Sequence, residues 1–420
     1  MGGLMRRFLA WSVVPVLAVV ALVAGSAFGA NAEVKTRGSG SASGSGSQTF
    51  RVNVDGLNKS VNEAFDAYFP NDVTVHAGDT VVFDYVGVGE PHTVTLGTLA
   101  NSADTAFNAL TPAQQNNPPK SALAADAKLP QLIGSAGLSV VPSAANPCFF
   151  ASGVPSSKTA CPVTAKPAFD GQQAYYNSGW LKASEKFTVH LSSATPPGTY
   201  RFLCLIHRES MQGKITVVPG STPVASPAAQ FAVGQKQLAR DEAGLVTATK
   251  LLAQGKPPIP GLTLPGSNPV LVGSGAPGTP DPGSIDLYGP KTVHIPVGGT
   301  VTWWLVGLHT ITFNSNNTDN DIQTVYKNGN VQFNEKAAGP VGGPGEPAKP
   351  PTGGTQSHIN FKVVASQTWN GKGFHNSGVF GNSQPPNIEG YKLTFSRAGT
   401  YKFICTVHDN MKGTIIVGNG

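Results

Sequence analysis

Charge is scarce in this chain. Only 12% of its 420 residues are Asp, Glu, Lys or Arg, and the formal net charge of +6 is spread thinly, with no dense Lys/Arg cluster. That excludes the electrostatic footprint of a nucleic-acid binder. Sulfur is scarce too, with four Cys and four Met. Nine His occur, never as a His-x-His pair. Gly (50) and Pro (34) are plentiful, which argues against helical bundles and suits short strands joined by turns. The chain is too long for one small sandwich and suits two domains with connectors or insertions.

The N-terminus reads as an export leader. Arg6 and Arg7 precede an uncharged stretch from Phe8 to Phe28, then Ala30-Asn31-Ala32, a small-residue cleavage site. As a helix the stretch is roughly 30 Å long, so residues 1–32 are a signal peptide or a membrane anchor. No Cys follows it to take a lipid. Either way the remainder is expected outside the cytoplasm, periplasmic or on the outer face of the membrane, secreted or N-terminally anchored. Residues 33–48 are a Gly/Ser linker.

An internal repeat organises the rest. Ala77-Gly78-Asp79-Thr80, Val81-Val82-Phe83 and Pro91-His92-Thr93-Val94 return as Val297-Gly298-Gly299-Thr300, Val301-Thr302-Trp303 and Leu308-His309-Thr310-Ile311. Asn177-Ser178-Gly179 returns as Asn376-Ser377-Gly378, and Gly198-Thr199-Tyr200-Arg201-Phe202-Leu203-Cys204 as Gly399-Thr400-Tyr401-Lys402-Phe403-Ile404-Cys405. Period two places Tyr200, Phe202 and Cys204 on one strand face, and Tyr401, Phe403 and Cys405 likewise. The expected domains are 49–219, with an insertion at about 98–171, and 284–420, with an insertion at about 315–373. Residues 220–283 are expected to be a linker, helical from Pro227 to Gln254 and extended beyond Pro257-Pro258.

Each copy ends in a loop rich in metal-binding side chains. Cys204, His207 and Met211 are spaced Cys-x2-His-x3-Met; Cys405, His408 and Met411 are spaced Cys-x2-His-x2-Met. His92 or His309 lies upstream. One thiolate, two imidazoles and a weak axial thioether make a blue-copper site. A strand Cys is ordinarily a small buried hydrophobe. Beyond the leader, however, the chain has only two Met, and both fall in these loops.

These segments resemble the plastocyanin/azurin family of cupredoxins, and the second loop has the short ligand spacing of amicyanin. The resemblance covers roughly 49–97 and 172–219, then 284–314 and 374–420. It implies an all-β chain of two Greek-key sandwiches, joined by a linker with a short helix, each holding one copper. The implied ligands are His92, Cys204, His207 and Met211, and His309, Cys405, His408 and Met411, with His207 and His408 near the surface as electron exits. Both halves are longer than a simple plastocyanin. The strand leaving His92 is expected to run about six residues, so the first insertion starts away from the copper, with room to fold back.

Single-electron transfer with redox proteins follows, the partner being a cytochrome, a cupredoxin or a membrane oxidoreductase. Copper storage or delivery is the alternative. A copper oxidase or nitrite reductase is disfavoured, because Cys204 is flanked by Leu203 and Leu205, and Cys405 by Ile404 and Thr406, with no His beside either. In an exported chain Cys148 and Cys161 are expected to form a disulfide. A second metal site there lacks any neighbouring His. His76, His190 and His294 are expected to be exposed, and His358 has no evident partner.

Overall fold

A computed structural model describes residues 46–56, 63–87, 91–115, 118–130, 142–145, 167–181, 184–258, 262–275, 283–315, 360–379, 387–408 and 410–418. Residues 1–45, with the expected leader, and Cys148, Cys161 and His358, with the expected disulfide, lie outside the described residues.

The chain is all-β, and its strands form two Greek-key sandwiches. The first half supplies β1 (Thr49–Val54), β2 (Glu63–Phe65), β3 (Tyr68–Phe69), β4 (Asp72–His76), β5 (Thr80–Tyr85) and β6 (Thr95–Leu96). It continues with β7 (Tyr176–Asn177), β8 (Lys186–His190), β9 (Gly198–Cys204) and β10 (Arg208–Val218). The second half supplies β11 (Pro269–Gly275), β12 (Gly283–Gly289), β13 (Thr292–Pro296), β14 (Thr300–Leu305) and β15 (Thr312–Phe313). It ends with β16 (Asn360–Trp369), β17 (His375–Asn376), β18 (Asn387–Phe395), β19 (Gly399–Ile404) and β20 (Lys412–Gly418). In the first sandwich the sheet β3-β1-β5-β8 faces β4-β10-β9-β6-β7. In the second, β16-β18-β14-β11-β12-β2 faces β13-β20-β19-β15-β17.

Alternation at period two fills each core. Phe83, Tyr68 and Phe202 meet edge to face, with ring centroids 4.9 Å apart from Phe202 to each of the other two. Tyr288 and Trp303 pack on Phe403 in the same way at 4.6 and 5.6 Å. Cys204 and Cys405 belong to these two cores. The strand period therefore carries each thiol into an apolar interior, as expected. His190 and His294 are exposed and His76 is half-buried. His375 is buried, stacked on Trp369 and bonded through Nε2 to the Tyr391 hydroxyl at 2.6 Å.

The stretch 220–283 is more than a linker. Pro269–Gly275 is β11, paired in parallel with β14 and antiparallel with β12 inside the second sandwich. Residues 360–369, placed by the sequence in the second insertion, form β16, which pairs in parallel with β18.

The connector helix is present as α5 (Pro227–Ala253), 27 residues and not short. Ser226 caps it by accepting the Ala229 amide at 3.3 Å, and Pro227 occupies the first turn, where a missing N–H costs nothing. Gly234, Leu238, Asp241, Leu245, Ala248 and Leu252 form its buried seam at alternating spacings of four and three. That seam docks into a cluster drawn from both halves: Phe65 and Phe69 from the first, Leu271, Ile285 and Trp304 from the second.

The halves also join directly. β2 adds to the edge of β12, with Phe65 opposite Gly283, Ala64 opposite Ser284 and Glu63 opposite Ile285. The pairing is reciprocal, because Glu63 corresponds in the repeat to Gly283 and Phe65 to Ile285.

Candidate metal centres

Two clusters of His and Cys stand out among the described residues. His92, Cys204 and His207 have ligand atoms all within 4.8 Å of one another, and so do those of His309, Cys405 and His408. The structure thus brings together three of the four candidate side chains in each half. Met211 and Met411, the fourth candidates, are buried in the same cores as the thiols.

In His92, His309 and His408 the ring nitrogen facing the sulfur is Nδ1. It lies 3.9 Å from Cys204 Sγ in His92, 3.9 Å from Cys405 Sγ in His309 and 3.7 Å from that sulfur in His408. With bonds of ~2.3 Å to sulfur and ~2.0 Å to nitrogen, zinc-like values, a trigonal ion would separate the two donors by ~3.7 Å. The donors present therefore fit a small thiophilic cation.

The sulfurs are prepared as thiolates. Thr93 N and Ile206 N donate to Cys204 Sγ at 3.3 and 3.4 Å. Thr310 N and Val407 N donate to Cys405 Sγ at 3.4 and 3.3 Å. Burial pushes both thiols up, but the adjacent imidazoles outweigh it and hold Cys204 and Cys405 well below the ordinary thiol range.

The upstream His is held to the ligand loop by a repeated network. Leu205 N donates to Thr93 Oγ1 at 2.7 Å, and Thr406 N to Thr310 Oγ1 at 2.8 Å. Thr95 donates to Asn177 and Thr312 to Asn376, while Ser178 and Ser377 accept the amides of Val94 and Ile311. The repeated Asn-Ser-Gly therefore orients the His-bearing strand.

The outer edges of the imidazoles meet carboxylates, which the sequence reading missed. His207 Nε2 lies 3.2 Å from Asp66 Oδ1, and His408 Nε2 lies 3.8 Å from Asp286 Oδ1. His92 Nε2 is 3.6 Å from Asp55 Oδ2, both fully buried. Burial lowers the His92 pKa, but Asp55 and Cys204 outweigh it and push it up to about 9. Asp55 itself is raised by burial, against the pull of His92 and of two amides. A signal for two of these acids exists in the sequence, since Asp66-Ala67-Tyr68-Phe69-Pro70 and Asp286-Leu287-Tyr288-Gly289-Pro290 share Asp-x-Tyr-x-Pro. In both copies the Tyr hydroxyl donates to the carbonyl after the upstream His, Thr93 or Thr310.

His207 keeps 11% of its side chain exposed, and His408 is buried. The reason is local: the segments carrying Asp66 and Asp286 lie across their outer edges. One expectation needs correction: the strand after His92 is shorter than six residues, and the first insertion begins near the centre. The strand after His92 is only the pair Thr95–Leu96, and α1 (Thr98–Asn108) follows at once. With α2 (Pro112–Gln115), α3 (Lys120–Asp126) and α4 (Pro142–Ala145), the insertion folds back. Ala100, Ala103, Ala144 and Ala145 pack on Leu203 and Leu205, the neighbours of Cys204. Arg208, beside His207, donates to the Pro130 carbonyl at 3.1 Å and pairs with Asp126 at 3.4 Å.

No family model matches this chain, and no curated protein matches it. Solved structures similar to it include a dithionite-reduced auracyanin from the photosynthetic bacterium Roseiflexus castenholzii, at 19% identity and a TM-score of 0.21, covering 42% of this chain and 100% of that one. Auracyanin B is similar at 18% identity and 0.20, covering 41% and 89%. A reduced Cu(I) form of an amicyanin mutant is similar at 18% identity and 0.17, covering 37% and 86%. Similarity of this size is one of fold alone.

Proposed function

We propose that the protein is an exported blue (type 1) copper protein that transfers single electrons between redox partners. The observation that carries this reading is the duplicated, buried Cys sulfur with two imidazole ligand atoms within 4.8 Å of it. The holding residues would be His92, Cys204, His207 and Met211 in the first centre, and His309, Cys405, His408 and Met411 in the second. Copper bound there supplies a one-electron change of valence.

The chain's own part is to keep the donors still and dry. Two backbone amides fix each sulfur, and the Thr-to-amide bond locks the upstream strand against the ligand loop. Apolar cores exclude water from the thiolates, which strengthens every electrostatic contact inside. Rigid donors spare the rearrangement that a change of valence would otherwise demand. Leu203 and Leu205, or Ile404 and Thr406, flank the thiols, leaving no imidazole there for a second ion to bind oxygen or nitrite. Closed sites of this kind also argue against storage or delivery, which need easy release. The partner would be a cytochrome, a cupredoxin or a membrane oxidoreductase.

The test is the visible spectrum of the copper-loaded chain together with its copper content. An intense thiolate charge-transfer band at about two copper ions per chain is expected from two trigonal thiolate sites. Cys204→Ser should remove one site and leave the other, and Cys405→Ser the reverse. A colourless loaded protein sinks the reading.

A further inference from the structure

The two centres share their Cys and His side chains and the Thr and Asn-Ser-Gly contacts around them, and they differ in kind behind the upstream imidazole. The ladders give the alignment. Val52 and Val54 pair with Phe83 and Tyr85, as Val270 and Val272 pair with Trp303 and Leu305. Val86 N then donates to the Val54 carbonyl, as Val306 N does to that of Val272. Asp55 therefore corresponds to Gly273. Both hold the left-handed conformation, at φ 66° and 69°.

At Asp55 the chain places a buried carboxylate. Its Oδ1 accepts the amides of Gly56 at 2.5 Å and Phe65 at 2.6 Å, and its Oδ2 faces His92 Nε2. At Gly273 no side chain fits: a Cβ would stand 2.2 Å from His309 Nε2 and 2.4 Å from the Val306 carbonyl oxygen. His309 Nε2 instead bonds that carbonyl at 3.0 Å. One upstream imidazole is backed by a carboxylate, its counterpart by a neutral dipole. Asp66 and Asp286 correspond, so a carboxylate faces the loop imidazole in both halves, at 3.2 and 3.8 Å. A non-Gly residue held at positive φ, with its carboxylate buried against a candidate ligand, costs stability and calls for a role.

We propose that Asp55 is a positioning residue for His92 that makes the two centres unequal, setting the first at a lower reduction potential than the second. The inference rests on the copper reading. Negative charge behind an imidazole strengthens it as a donor and favours the more highly charged, oxidised ion. Copper held by both sets of residues would then favour passage of an electron from the reduced first centre to the oxidised second, with no bond broken and no proton required.

The experiment measures the midpoint potential of each centre alone, the first in Cys405→Ser and the second in Cys204→Ser, with Cu(I) and Cu(II) affinities read by competition. The first should lie lower. Asp55→Asn in the Cys405→Ser chain keeps shape and removes charge. It should cut the preference for Cu(II) over Cu(I) about tenfold, which raises the potential by ~59 mV. Equal potentials, or a higher first centre, overturn the inference even if Asp55→Asn proves too unstable to purify. So does a potential that Asp55→Asn leaves unmoved. Absence of the charge-transfer band from both single-centre chains overturns the copper reading itself, and this inference with it.

Discussion

A glycine and a histidine show how much one position can decide. Gly273 holds φ 69° and approaches His309 so closely that a Cβ has no room. Gly273→Ala should therefore displace His309 and weaken copper binding in the second centre about 10–100-fold, leaving the first unchanged; competitive titration of each centre checks this. His375 carries a different consequence. Burial alone lowers its pKa to about 4, so the folded chain refuses a proton that the unfolded chain accepts near 6.5. Its folded pKa is depressed, so the associated stability is present above pH 6.5 and is lost as pH falls toward 4. His375→Gln cannot take that proton. It should flatten this acid-side loss, as denaturant midpoints at pH 7 and pH 5 would read. The candidate ligand residues were legible because Cys, His and Met recur at closely similar spacing in a chain poor in all three. Among the carboxylates, Asp66 and Asp286 left a trace in the shared Asp-x-Tyr-x-Pro, whereas Asp55, matched by Gly273 in the other half, left none.

Elements built on repetition were the readable ones. β9 and β19 announce themselves by aromatics at period two, and α5 by Ser226-Pro227 at its start and Pro257-Pro258 beyond its end. β11 hid because its apolar run, Val270-Leu271-Val272, is brief and sits among Gly, Pro and Ser, where an extended linker and an edge of a sheet look alike. The folding back of the first insertion was invisible because it rests on tertiary contacts from alanines, which carry little pattern. α5 offers a test of packing against propensity. Gly234 in a helix interior ordinarily costs ~0.5–1 kcal/mol relative to Ala. Here a Cβ would stand 2.3 Å from Pro70 N and 2.5 Å from the Phe69 carbonyl carbon. Gly234→Ala should thus destabilise the chain by ~1–3 kcal/mol despite the better helix former. An increase in melting temperature would show that the helix does not dock there.

At the scale of the whole molecule, the two sandwiches share a third core beneath α5. Leu245 is fully buried within it, so Leu245→Ala should cost ~2–5 kcal/mol. Because that core belongs to both halves, they should unfold in one transition, and the variant should shift that transition as a unit. Calorimetry resolving two peaks, with only one moved, would contradict a shared core. The reciprocal pairing of β2 with β12 has a further meaning. A surface that pairs with its own counterpart by a half-turn is the contact of a two-fold homodimer, here closed within a single polypeptide. The molecule has the form of two protomers fused end to end, each carrying the edge that the other requires. Chains refolded at high concentration can therefore exchange halves, producing an intertwined dimer that keeps every contact of the monomer and both centres intact.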